Sequence, residues 1–162
     1  MNFFKKFSIA SPKGFTLVEV TLVVSLFFIL VGLATVNLFN FQHKSQLDAT
    51  VNSFQADYKE QQIKAMVGDT EGTSASTNYG VHFETTSYTL FRGTYTFGNS
   101  ANFVVVLPNT VTIATNFSNA QILFLKGSGE VSGTGTITLT DTVTAAQKVL
   151  TINKYGVITG VN

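Results

Sequence analysis

One ionisable residue stands inside an otherwise uncharged apolar run: Glu19, in the stretch FTLVEVTLVVSLFFILVGLATV over residues 15–36. A carboxylate at mid-bilayer costs about 2.5–3.5 kcal/mol on insertion scales, so one in a membrane-length segment is a functional residue by default. Glu19 has no nearby Lys or Arg on its own helix. Directly before it lie Lys13, Gly14 and Phe15: a basic residue, a residue without a side chain and an aromatic one at the entrance to the apolar run.

The other residue types that do chemistry fall into no working pattern. His43 and His82 are far apart, on a predicted helix and a predicted strand, without carboxylates at ligand spacing, so no metal site is expected. Gly127, Gly129, Gly133 and Gly135 surround Glu130, but their spacing matches neither a dinucleotide nor a phosphate loop; hairpin turns account for them. Ser is plentiful, yet none sits in a Gly-x-Ser-x-Gly elbow. With no acid/base pair, metal cluster or triad to assemble, neither an enzyme nor a cofactor is expected.

The chain has 162 residues, room for one ordinary domain plus an appended element. It contains no Cys, which excludes disulfides, thiolate metal sites and a Cys nucleophile together. Residues 1–14, MNFFKKFSIASPKG, read as a short basic cytoplasmic leader. Residues 15–36 form a helix of about 33 Å, which matches a hydrocarbon core of about 30 Å. Lysines precede this span and the next, Lys44, comes well after it, so the amino terminus is expected in the cytoplasm. No Pro or Gly occurs over 37–67, where Leu47, Val51, Phe54, Tyr58 and Ala65 recur at helical spacing. This predicts one long helix over 15–67, lipid-facing in its first half, amphipathic in its second, with the apolar stripe packed against one sheet. Residues 68–78 form a polar linker, and 79–162 read as a β-rich head. Strands are predicted at 79–84, 88–91, 102–107, 111–115, 121–125, 135–139 and 148–152. The fold class is therefore α+β, a long amino-terminal helix on an antiparallel β domain.

The run Lys13-Gly14-Phe15-Thr16-Leu17-Val18-Glu19, followed at once by an apolar helix, resembles the class III signal of type IV pilins and type II secretion pseudopilins. The resemblance implies that a membrane prepilin peptidase cuts after Gly14 and methylates the new amino terminus at Phe15, with Glu19 as fifth residue of the cleaved chain. Cleavage there creates an α-ammonium about 6 Å of helical rise from the Glu19 carboxylate. In a bundle of parallel helices one subunit's ammonium then meets its neighbour's Glu19, which sets the stagger and compensates both charges. The order of Tyr79-Gly80-Val81-His82-Phe83, Tyr88-Thr89-Leu90-Phe91, Ile122-Leu123-Phe124 and a closing hairpin over 149–157 is similar to GspH/FimT-type minor pseudopilins, which carry two packed sheets beside the helix.

Two features depart from that pattern. Many major pilins have a Pro within the apolar helix, whereas 15–67 contains none. The chain ends GVITGVN without charge, and removing the leader leaves seven Lys/Arg against nine Asp/Glu, a net charge of −2; nucleic-acid binding is not expected. Ordinary signal-peptidase cleavage near Gly32-Leu33-Ala34 is disfavoured because the apolar run is long, holds an acid and continues into an amphipathic helix, and a plain single-pass anchor leaves Glu19 and the Gly14-Phe15 junction as coincidence. The expected function is a structural filament subunit, anchored once in the inner membrane and extracytoplasmic after assembly, with other pilin-like subunits and the peptidase as partners. The alternative is a membrane-tethered extracytoplasmic binding domain that does not polymerise.

Overall fold

The computed structural model describes residues 14–72 and 75–162. Of the expected leader only Gly14 is among them, and Thr73 and Ser74 of the expected linker lie outside them. The helix predicted over 15–67 is α1, Leu17–Val67. It begins after Thr16, whose Oγ1 accepts the Glu19 N–H at 3.2 Å while its carbonyl accepts the Val20 N–H at 3.2 Å. Thr16 is thus the cap, which keeps Phe15 outside the helix. At the other end Gly68 adopts a φ of +68, and two bonds close the last turn: Gly68 N–H to Ala65 O at 3.2 Å and Asp69 N–H to Lys64 O at 3.0 Å. That paired pattern is a Schellman stop, which requires a left-handed residue and so favours Gly.

The chain divides into two units, the first ending at Phe39 and the second spanning Asn40–Asn162. In the first, every described side chain from 17 to 39 is exposed, including Leu17, Phe27, Phe28 and Leu30. This helix is long and apolar enough to cross a membrane by length and composition.

The second unit holds the rest of α1 and eight strands: β1 Tyr79–Glu84, β2 Ser87–Arg92, β3 Phe103–Val106, β4 Val111–Thr115, β5 Gln121–Phe124, β6 Gly135–Asp141, β7 Gln147–Ile152 and β8 Ile158–Val161. They form two antiparallel sheets, one ordered β3-β2-β1-β5 and the other β4-β6-β7-β8. The α+β class expected from the sequence is confirmed. Seven strands fall where predicted, with no end moved by more than two residues. The closing hairpin differs: β8 starts at Ile158, beyond the expected 149–157. Asn153 is the reason, because its Oδ1 accepts the N–H groups of both Tyr155 and Val157 at 3.0 Å and so builds a wide turn before pairing resumes.

The stripe of Leu47, Val51, Phe54, Tyr58 and Ala65 is buried as its spacing predicts. Its ring contacts are with the first sheet, and the core it belongs to extends to the second. The Phe54 ring lies 5.8 Å from Phe83 on β1 and 5.2 Å from Tyr88 on β2, and Tyr58 lies 4.8 Å from Phe124 on β5. Earlier on the helix, His43 meets Asp141 on β6 and Asp48 meets Lys148 on β7. One core joins the stripe to Ile137, Leu139, Leu150 and Ile152; burying each such side chain stabilises by about 1.5–3 kcal/mol. Gly80 lets the strands close up, since a Cβ there would lie 2.6 Å from the Ile122 carbonyl oxygen.

Candidate assembly site

Gly14 and Phe15 lie in exposed, non-helical backbone just before the cap, with Phe15 83% exposed. Both residues of the expected cleavage junction therefore precede the first helical turn. Thr16 and Glu19 stand at the spacing of a capping box, Thr-x-x-Glu, and the Thr16 half of it is made. The Thr-x-x-Glu spacing is a local signal for this cap. Among the described residues the Glu19 carboxylate has no hydrogen-bond or ion-pair partner. Its position in the first turn is one where the helix dipole favours negative charge.

The remaining polar side chains of the apolar segment are satisfied locally. Thr21 Oγ1 donates to Val18 O at 2.9 Å, Ser25 Oγ to Leu22 O at 2.9 Å and Thr35 Oγ1 to Val31 O at 2.8 Å. Hydroxyls bonded back to their own helix cost little in hydrocarbon, whereas an unpaired carboxylate costs a great deal. Among the described residues, Glu19 is therefore the costly polar group of this segment.

In the second unit the structure pairs residues whose relation the sequence does not show. Asp141 is fully buried; its Oδ2 lies 2.9 Å from His43 Nδ1, and its Oδ1 accepts the N–H groups of Val143 at 2.8 Å and Thr144 at 2.9 Å. Burial alone would raise this carboxyl, but the Thr144 N–H, the His43 imidazole and the Val143 N–H outweigh it and hold the pKa at about 2. His82, the other histidine, stacks on Tyr95 at 3.9 Å, and burial pushes its pKa down against the pull of Glu84. Among the described residues no three His, Cys, Asp or Glu side chains converge as a metal site would require. Gln62 ties the helix to two turns, its Nε2 donating to Gly129 O at 3.1 Å and Tyr155 O at 2.8 Å, and Tyr58 Oη donates to Gly156 O at 3.2 Å.

No family model and no curated protein sequence matches the chain. Among solved structures it is similar to the minor pseudopilin EpsH from the Type 2 Secretion System of Vibrio cholerae, with a TM-score of 0.51 and 15% identity, over 72% of this chain and 96% of that one. The fold is pseudopilin-like. At this identity the likeness rests on the arrangement of a long helix and two antiparallel sheets, the arrangement that the resemblance to GspH/FimT-type proteins implies. The pseudopilin-like domain thus follows directly, along one chain, from the helix that bears Glu19.

Proposed function

We propose that this chain is a structural subunit, of minor pilin or pseudopilin type, of a pilus-like or type II secretion-like filament, and not an enzyme. Residues 15–36 anchor it once in the inner membrane with the amino terminus in the cytoplasm, and assembly carries the β domain into an extracytoplasmic filament. The observation that carries this reading is an unpartnered Glu19 in the first turn of an exposed apolar helix, on a chain whose domain has a pseudopilin-like fold.

The chemistry follows from charge. A prepilin peptidase cuts between Gly14 and Phe15, and the new Phe15 amine, methylated, remains a cation. Thr16 holds the first turn through the Glu19 N–H and leaves the Glu19 carboxylate free to project. When helices of several subunits run side by side, the Phe15 ammonium of one meets the Glu19 carboxylate of another, each compensating a charge that hydrocarbon would otherwise penalise. Other pilin-like subunits and the peptidase are the partners this reading requires.

Co-expression with a prepilin peptidase tests it. The expected result is a mass loss matching residues 1–14 and an amino-terminal sequence that starts at Phe15. A chain that starts at Thr35, or one that stays uncut beside an active peptidase, would overturn the reading.

A further inference from the structure

We propose that the free edge of β3 is a docking site for an extended segment of a partner chain, which adds to the first sheet as a fifth strand and carries cationic side chains toward α1. The edge is open. β3 pairs with β2 alone, in the register Ser87↔Val106, Tyr88↔Val105, Thr89↔Val104 and Leu90↔Phe103. Leu107 donates its N–H to Thr86 O at 2.9 Å, which fixes the phase of the ladder. Alternation along an antiparallel strand then turns Val105 and Phe103 toward β2 and aims the N–H and C=O of Val104 and Val106 outward. Among the described residues nothing bonds to those four outward groups.

The features that normally blunt an edge strand are missing. Phe103, Val104, Val105 and Val106 include no charge and no Pro, and the β2–β3 ladder has no bulge. Phe103 is 66% exposed, Val104 56% and Val106 73%, and the 83% exposed Phe97 borders the same hollow as Val104. The opposite edge of this sheet is treated differently, because Phe124 of β5 bridges to Val131.

The two faces of the edge specify the guest. Tyr88 and Leu90 belong to the core, so their partners Val105 and Phe103 lie on the inner face, and Val104 and Val106 lie on the outer one. Guest residues opposite Val104 and Val106 share their face and should be apolar. Guest residues opposite Phe103 and Val105 point inward, toward a groove of 350 Å³ bordered by Asp57, Glu60, Lys64, Glu71, Arg92 and Phe103. Three carboxylates there face two cations. Lys64 is shared by Glu60 and Glu71 at 3.0 Å each, and Arg92 reaches the Ala75 carbonyl at 2.6 Å. The excess negative charge selects Lys or Arg in the guest. Main-chain bonds along the edge supply affinity, and the alternating side chains supply selectivity.

The test titrates the full-length chain in neutral detergent against a fluorescein-labelled peptide, Thr-Val-Lys-Val-Lys-Val-Thr, read by fluorescence anisotropy. Its counterpart has Glu in place of both Lys. Saturable binding is expected for the Lys peptide and at least about tenfold weaker binding for the Glu peptide. Val104→Pro deletes an outward N–H and leaves the β2 ladder intact, so it should keep the circular-dichroism melt of the parent and weaken the Lys peptide by about tenfold or more. Should Val104→Pro disturb the fold, a Lys peptide N-methylated at alternate residues, in the two possible phases, removes the same bonds from the other side. Asp57→Asn with Glu60→Gln should narrow the preference for Lys over Glu. The proposal is overturned if the Lys peptide does not saturate, if both peptides bind alike, or if binding survives Val104→Pro and also survives N-methylation in each of the two phases.

Discussion

Phe54 is the position where the packing of α1 on the β domain is most directly measured. Its side chain is fully buried, with the rings of Tyr88, Phe83 and Tyr58 at 5.2, 5.8 and 6.0 Å. Phe54→Ala removes the ring from among three aromatic neighbours that β1, β2 and α1 itself hold in place, so the site collapses only in part. Phe→Ala changes in such sites cost about 3–5 kcal/mol. For a domain of this size that lowers the melting temperature by about 10–15 °C. All five Tyr, residues 58, 79, 88, 95 and 155, lie in this unit and the chain has no Trp, so the tyrosine bands of the near-ultraviolet circular-dichroism signal report its tertiary packing alone. The assay is a thermal melt of residues 40–162 followed by that signal, with Phe97→Ala as the exposed control, expected within about 0.5 kcal/mol of the parent. Phe54→Asp, which buries a charge in the same place, should abolish the cooperative transition. A Phe54→Ala shift no larger than that of Phe97→Ala would refute the argument that this ring anchors the helix to both β1 and β2.

Two further outcomes bear on the charged groups. The folded Asp141 carboxyl sits at about 2, below its ordinary 3.8, so its contribution to stability is complete above about pH 4 and is lost as pH falls through 2. Melts of the parent and of Asp141→Asn should therefore differ most at pH 5 and converge toward pH 2; a gap that stays constant excludes this role for the carboxylate. Glu19→Val should leave cleavage and membrane residence intact while sharply reducing the amount of subunit in sheared filaments, and full incorporation at matched expression would overturn the pairing with a neighbour's Phe15 amine.

Much of this architecture is legible in the sequence because it depends on local periodicity. The recurrence of Leu47, Val51, Phe54, Tyr58 and Ala65 marks a helix face, and the alternation of Ile137 and Leu139 with Thr136, Thr138 and Thr140 marks a half-buried strand. Glu19 stands out for the same reason, as a charge set against an apolar background that needs no fold to interpret it. Gly68 after the last stripe residue and the turn residues Lys154, Tyr155 and Gly156 are likewise local signals. The Thr-x-x-Glu spacing of Thr16 and Glu19 is local too, and the cap bond from the Glu19 N–H to Thr16 Oγ1 fulfils it.

Tertiary structure decided what depends on contacts between residues distant in the chain. His43 and Asp141 are separated by 98 positions, and neither residue's neighbours announce the other. Gln62 reads as a surface residue until two turns close over it and present the carbonyls of Gly129 and Tyr155. Strand order has the same character: nothing local to Phe103-Val104-Val105-Val106 distinguishes a central strand from an edge, and that distinction determines whether its outward N–H and C=O groups are paired. Periodicity tells a residue which way it faces; only the assembled sheets and helix determine what stands opposite it.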